Sequence, residues 1–178
     1  RALDALEIRN GAGHSELRID KAGNIRIIEI GSRMGGDCIG SDLVPLSTGQ
    51  DFVAMAVDTA AGKSPVFTEK KKKVSAIRFL MDSNDLKHLQ ELQKEHPDKV
   101  KKVVLEGDVE QAQITDSGSR PGFFILQTDT MEEMEELFYR GPWENPLREL
   151  PETPIQKLRF TGNGRDNAET APVHNHFY

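Results

Sequence analysis

The sequence predicts an α+β protein of two successive blocks, each an antiparallel sheet with helices, followed by a stretch without regular structure. Three observations predict it. Two strand patterns joined by a short turn open the chain. Pro65 and four consecutive lysines, Lys70 to Lys73, then break the pattern within residues 64–73. Beyond the break the order is strand, helix, strand, strand, strand, helix, which suits an antiparallel sheet with helices on one side.

The elements follow in order. Ala2 to Leu6 reads as the last turn or two of a helix. Gly13–Asp20 and Asn24–Gly31 are strand-like, and Lys21-Ala22-Gly23-Asn24 supplies the turn of a hairpin. From Gly31 to Gly49 there are glycines at 31, 35, 36, 40 and 49 and too little periodicity for a regular element, so this stretch reads as loop. Thr48-x-x-Asp51 marks a helix start, and Phe52, Val53, Ala56, Val57 and Ala60 recur at helical intervals over 51–61.

The lysine run reads as a solvated linker, dividing a first block at 1–66 from a second at 67–140. In the second block Val74–Met81 is a strand and Asp85–Glu95 a helix with Leu86, Leu89 and Leu92 on one face. Val103–Glu106 is a short strand, and Gln111–Thr115 pairs with Phe123–Thr128 across the turn at 117–122. Thr130 and Glu133 have capping-box spacing for a helix running through Met134, Leu137 and Phe138. Residues 141–178 hold five of the nine prolines, so they form an irregular tail. His174 and His176, within it, have a metal-ligand spacing without a third ligand nearby.

Composition narrows the function. A chain of 178 residues can bury its own core, and no apolar run approaches the roughly 20 residues that span a bilayer. A net charge of −6 argues against nucleic acid, which needs a cationic face. The single cysteine, Cys38, and the lack of a signal-peptide pattern at the start point to the cytoplasm. The chain opens on Arg1 without an initiator methionine, which predicts a C-terminal fragment of a longer protein.

Chemistry concentrates in the first hairpin. If the loop is Lys21 to Asn24, Asp20 pairs with Ile25, and Glu16 lies opposite Glu29. Leu17, Ile19, Ile28 and Ile30 then share the other face. Directly opposed like charges destabilise a strand pair unless something neutralises them. A divalent cation held by carboxylates would do so, and so would ion pairs to Arg18 or Arg26. Four residues past Glu29 comes Arg33, then Gly35 and Gly36, whose backbone amides can approach an anion closely. Carboxylates, an arginine and a glycine loop in this order suit phosphoryl transfer. His14 shares the face of Glu16, as a structural residue or a contact to substrate or phosphate, and Ile28 is core by default.

The stretch from Gly13-His14-Ser15-Glu16 through Glu29-Ile30-Gly31-Ser32-Arg33-Met34-Gly35-Gly36 to Ser47-Thr48-Gly49 resembles the C-terminal half of the ATP-grasp fold. It is most similar to members that ligate a carboxylate to an amine, including L-amino-acid ligases. The match covers roughly the first 65 residues. A weaker likeness, resting on element order and the turn from Asp116 to Gly122, makes 67–140 the small α+β subdomain that follows. The resemblance implies ATP and Mg2+, or Mn2+ in its place, with Glu16 and Glu29 as metal ligands and Arg33 as the catalytic cation. It makes His14, Gly35, Gly36 and Asp37 substrate-facing and puts Ile28 against the adenine. Many ATP-grasp proteins carry Asn two residues after the second acid; Gly31 stands there in this chain, as in the amino-acid-ligase-like members.

The same resemblance implies small-molecule carboxylate and amine substrates joined through an acyl phosphate. It also implies N-terminal lobes upstream of Arg1 that complete the nucleotide site. Other ATP-grasp chemistry, of the carboxylase or carbamoyl-phosphate-synthetase kind, and a non-catalytic module that forms a homodimer are the alternatives. Arg120 reads as a hairpin-turn residue, the alternative being a reach to the active site.

Overall fold

A computed structural model describes residues 2–68 and 71–139. The tail at 141–178, with His174 and His176, lies outside the described residues.

A short helix, α1 (Ala2–Ala5), precedes the first sheet, a hairpin of β1 (His14–Ile19) and β2 (Ile25–Gly31). Asp20 organises the turn: its carboxylate accepts the backbone N–H groups of Ala22 and Asn24, each at 2.9 Å, and the Asn24 side-chain amide. The side-chain bond from Asn24, with the backbone bonds behind it, holds the Asp20 carboxyl below its usual range. The connection is one residue longer than predicted, since Ile25 pairs with Ile19 rather than Asp20. A β-bulge offsets the difference. Leu17 opposes Ile27 and Glu16 opposes Glu29, which leaves Ile28 as the extra residue. Cross-strand pairing therefore gathers Leu17, Ile19, Ile25 and Ile27 on one face, with Ile30 at its far end opposite Ser15 as predicted; of the predicted set Ile28 alone departs. Leu17, Ile19, Ile25 and Ile27 are 37–54% exposed.

The stretch from 31 to 49 is more regular than its sequence suggests. A π-helical turn (Ile39–Leu43) runs directly into α2 (Val44–Thr48), with Pro45 in the first turn, where a missing N–H costs nothing. Five-residue elements are too short to show a period. The next helix, α3 (Phe52–Ala60), is capped by Asp51, whose carboxylate accepts Ala54 N–H at 2.9 Å. Thr48 does not cap it, because its hydroxyl donates to Val44 O inside α2.

The second sheet has β3 (Val74–Phe79), β4 (Val100–Leu105) and β5 (Gly122–Thr128) in the order β3-β5-β4, all antiparallel. Helices α4 (Ser83–Glu95) and α5 (Met131–Phe138) start at Asp82 and Thr130, whose side chains accept the expected backbone N–H groups. Glu133 completes only half of the predicted capping box, since its carboxylate takes Asp129 N–H. Gln111–Thr115 is not a strand. The N–H of Thr115 is spent on the Ser119 hydroxyl, part of a tight turn that Asp116 caps, and β5 pairs with β4 instead. The close approach there requires Gly122, since a Cβ would stand 2.3 Å from Val104 O.

The core lies on one side of this sheet: Leu80, Leu89, Leu92, Val109, Phe124, Leu126, Met134 and Leu137. Buried beside it, Arg78 donates from Nη2 (2.8 Å) and Nε (3.0 Å) to Asp85 Oδ1, while Asp85 Oδ2 accepts Met81 N–H at 2.8 Å. Arg78 Nη1 also donates to Phe138 O, and His88 Nε2 donates to Leu137 O at 2.9 Å. Two side chains thus satisfy carbonyls at the C-terminal end of α5 that the helix leaves open. The opposite face of the sheet receives the π-helical turn and α2. Ser75 donates to Leu43 O, Gln127 to Leu46 O and Lys102 to Asp42. No helix among the described residues is long and apolar enough to cross a membrane.

Removing Asp85 leaves Arg78 as a buried charge without its partner. Asp85→Asn is expected to cost about 3 kcal/mol of stability by urea unfolding. Burial, and then the nearby Arg78, pushes the His88 imidazole below its ordinary value of 6.5. The unfolded chain then binds the extra proton first, so stability should fall as pH drops through about 6.5 and below. His88→Gln should flatten that part of a stability-versus-pH curve.

Candidate functional site

The bulge places Glu16 and Glu29 on one face, directly across from each other. Each acid has its own side-chain partner, and neither is Arg18 or Arg26, which face each other nearer the turn. His14 Nε2 donates to Glu16 Oε1 at 3.2 Å, and Arg33 Nη2 donates to Glu29 Oε1 at 3.3 Å. The second pair is 52% exposed on Glu29 and 60% on Arg33, so water screens it and another cation can displace it at little cost. Arg33 Nη1 donates to Met34 O. The Arg33 side chain also lies over Gly31, its Cγ 3.4 Å from where a Cβ would stand. An asparagine at position 31 would contest that space.

The glycine loop closes on the same place. A Cβ on Gly35 would stand 2.8 Å from His14 Nδ1, so this glycine lets the loop press against the histidine that holds Glu16. Over Gly36 there is open space for 4 Å. Asp37 and Cys38 follow with φ of 47° and 60°, the left-handed region that non-glycine residues seldom enter. Burial, followed by the charge of Asp42, pushes the Cys38 thiol up.

The structure thus brings Glu16, Glu29, His14, Arg33, Gly35 and Gly36 into one continuous patch. Ile28 is not core. It is the bulge residue and 63% exposed. The sequence also understated Arg120. Beyond its turn it reaches Asp37, with Nη2 to Oδ1 at 3.3 Å. The two residues are 83 positions apart, and no local pattern signals a pair of that separation.

The donor set suits a hard divalent ion. Among the described residues no group of three or more His, Cys, Asp or Glu converges as a self-sufficient cage. Magnesium does not need one, because it is commonly held by one or two carboxylates with phosphates and waters completing its shell.

No protein-family profile matches the chain, and no curated protein does. Solved structures match it. An L-amino acid ligase from Bacillus licheniformis is 26% identical and superposes with a TM-score of 0.62, over 77% of this chain and 36% of that one. A phosphoribosylglycinamide synthetase from Anaerococcus prevotii covers the same shares with a TM-score of 0.61 at 17% identity. Both are ATP-grasp enzymes, and the chain has the ATP-grasp architecture expected of it, in a mixed helix and antiparallel-sheet fold. It spans about a third of the length of either structure.

Gly35→Ala is expected to push the His14 ring off Glu16. A crystal structure of the variant should show Nε2 and Oε1 beyond hydrogen-bonding distance. Gly36→Ala, whose Cβ meets nothing, should leave the pair in place.

Proposed function

We propose that this ATP-grasp chain is the C-terminal, phosphate-facing part of an ATP-dependent ligase that joins a small carboxylate to an amine, with amino acids or peptides as substrates. The observation that carries the reading is the opposition of Glu16 and Glu29 on one face, Glu16 hydrogen-bonded by His14 and Glu29 paired with an exposed, replaceable Arg33, with the glycine loop continuing from the second acid.

Magnesium, or manganese in its place, would be held by Glu16 and Glu29 and would offset charge on the ATP phosphates. Arg33 carries N–H donors suited to a carboxylate or phosphate oxygen, and its exposed pairing with Glu29 leaves it free to change partners. His14 keeps Glu16 in place, and Gly35 and Gly36 present backbone to the substrate. Ile28, apolar and exposed, offers a surface to the adenine ring. Chemically, a substrate carboxylate oxygen attacks the γ-phosphorus and ADP leaves. The amine then attacks the acyl carbon of the resulting acyl phosphate, losing a proton, and phosphate leaves.

The apolar face of the hairpin supports a larger protein. Leu17, Ile19, Ile25 and Ile27 form a contiguous exposed patch of the kind that marks a covered surface. N-terminal lobes of the same protein are the proposed cover, in the cytoplasm, and they would supply the rest of the nucleotide site. The same patch favours the second reading, a module that dimerises without catalysis.

Two experiments separate these readings. Purified alone, this chain should release no ADP from ATP with magnesium and amino acids, and measurable turnover would contradict the need for further lobes. In the full-length protein, Glu16→Gln and Glu29→Gln should each lower magnesium-dependent ATP hydrolysis by about 100-fold with the oligomeric state unchanged. Unchanged hydrolysis with a lost dimer would favour assembly.

A further inference from the structure

The loop after the glycines is held in an unfavourable shape. Asp37 and Cys38 both sit at positive φ, and for a residue with a Cβ the left-handed conformation costs on the order of 1–2 kcal/mol each. Local bonds secure the far side of this bend: Ile39 N–H donates to Gly36 O, and Cys38 O accepts both Asp42 N–H and Leu43 N–H at the head of the π-helical turn. Such turns often mark functional sites. Among the described residues, the one side-chain partner of Asp37 comes from the turn that leads into the second sheet's β5.

That partner, Arg120, is fixed on several sides. Its Cζ lies 3.7 Å from the centroid of the Phe79 ring, and its Nε donates to Ser117 O at 3.0 Å. Phe79 is braced in turn by an edge-on contact with Phe123. Ser117 belongs to the turn that Asp116 caps through the N–H groups of Gly118 and Ser119. With its ring stack and Nε engaged, Arg120 presents Nη2 to Asp37 from a pre-set position, and the pair is only 15% exposed on Arg120 and 28% on Asp37. A guanidinium held over an aromatic face loses little freedom when it takes a carboxylate.

We propose that Arg120 is a positioning residue for the glycine loop. Anchored on the second sheet, it holds Asp37 in the left-handed turn. That keeps Gly35 against His14 and, through His14, keeps Glu16 in register with Glu29. Whatever the loop binds is then bound in a geometry that the second sheet sets. Its effect on substrate binding rests on the ligase reading given above; the mechanical coupling does not.

The test has two arms. In the whole chain, backbone amide spectra of Arg120→Gln should show shifts at Gly35, Gly36 and Cys38, and imidazole C–H spectra a shift at the His14 ring. Asp37→Asn should give the same shifts, since asparagine tolerates positive φ and removes only the charge. The double variant should add nothing further. In the full-length protein both variants should raise KM for the loop-bound substrate about fivefold with kcat nearly unchanged, and Arg120→Lys should restore part of it.

Shifts confined to residues 117–123, or a KM like that of the unaltered protein while Glu16→Gln still abolishes hydrolysis, would overturn the inference and leave the ligase reading standing. Shared loop shifts with hydrolysis insensitive to Glu16→Gln would do the opposite, supporting the coupling while the ligase reading falls. Asp37→Asn keeps the test decisive should Arg120→Gln fail to fold.

Discussion

One unpaired residue, Ile28, fixes which side chains of the first hairpin share a face. The turn that Asp20 organises pairs Ile19 with Ile25, and if that register continued unbroken Glu16 would oppose Ile28. Glu29 would then lie opposite Ser15 and point to the other side of the sheet. The bulge shifts the far half of the strand by one residue and turns Glu29 toward Glu16. An electrostatic liability follows, two like charges in direct opposition, and His14 and Arg33 answer it. Both answers come from outside the acid pair's own register position: one from two residues earlier on β1, the other from the loop after β2. The carboxylate face, the side chains that pair with it and the glycine loop therefore all hang on the same irregularity.

The two sheets divide the physical work unequally. The second has its own close-packed core and a buried charge network in which Asp85 satisfies Arg78 and the backbone of Met81, while Arg78 and His88 close the end of α5. The first has no comparable core and keeps much of its apolar surface in solvent. The segment that follows it, 42–48, is held by polar contacts to the second sheet, from Ser75, Gln127 and Lys102 to residues 42–46, and by backbone bonds from Lys71 and Lys73 to Thr48 and Ser47. A packed support thus carries the glycine loop on elements too small to be rigid alone.

How legible this was in the sequence depended on how local each cause is. The hairpin, α4 and α5 were readable because alternation and helical spacing run long enough there to average out exceptions. The opposition of Glu16 and Glu29 was read correctly through two errors that cancelled, a turn taken one residue short and a bulge not foreseen; neither leaves a mark in residue types. The π-helical turn and α2 escaped because five-residue segments have no period, and Gln111–Thr115 imitated a strand whose backbone donor is claimed by Ser119. The Asp37–Arg120 pair was invisible because it is purely tertiary.

The order of the second sheet carries a consequence for how the chain is made. The central strand, β5, is the last of the three to leave the ribosome, and both β3 and β4 pair with it alone among the described strands. Until Gly122–Thr128 emerges, β3 is an apolar strand with two open edges, in a chain whose local contacts cannot yet satisfy it. The lysines just before it, Lys71 to Lys73, stand where a charged flank opposes edge-to-edge association of such a strand. A run that reads as a plain linker in the sequence would then serve the nascent chain, guarding β3 through the interval before its partner exists.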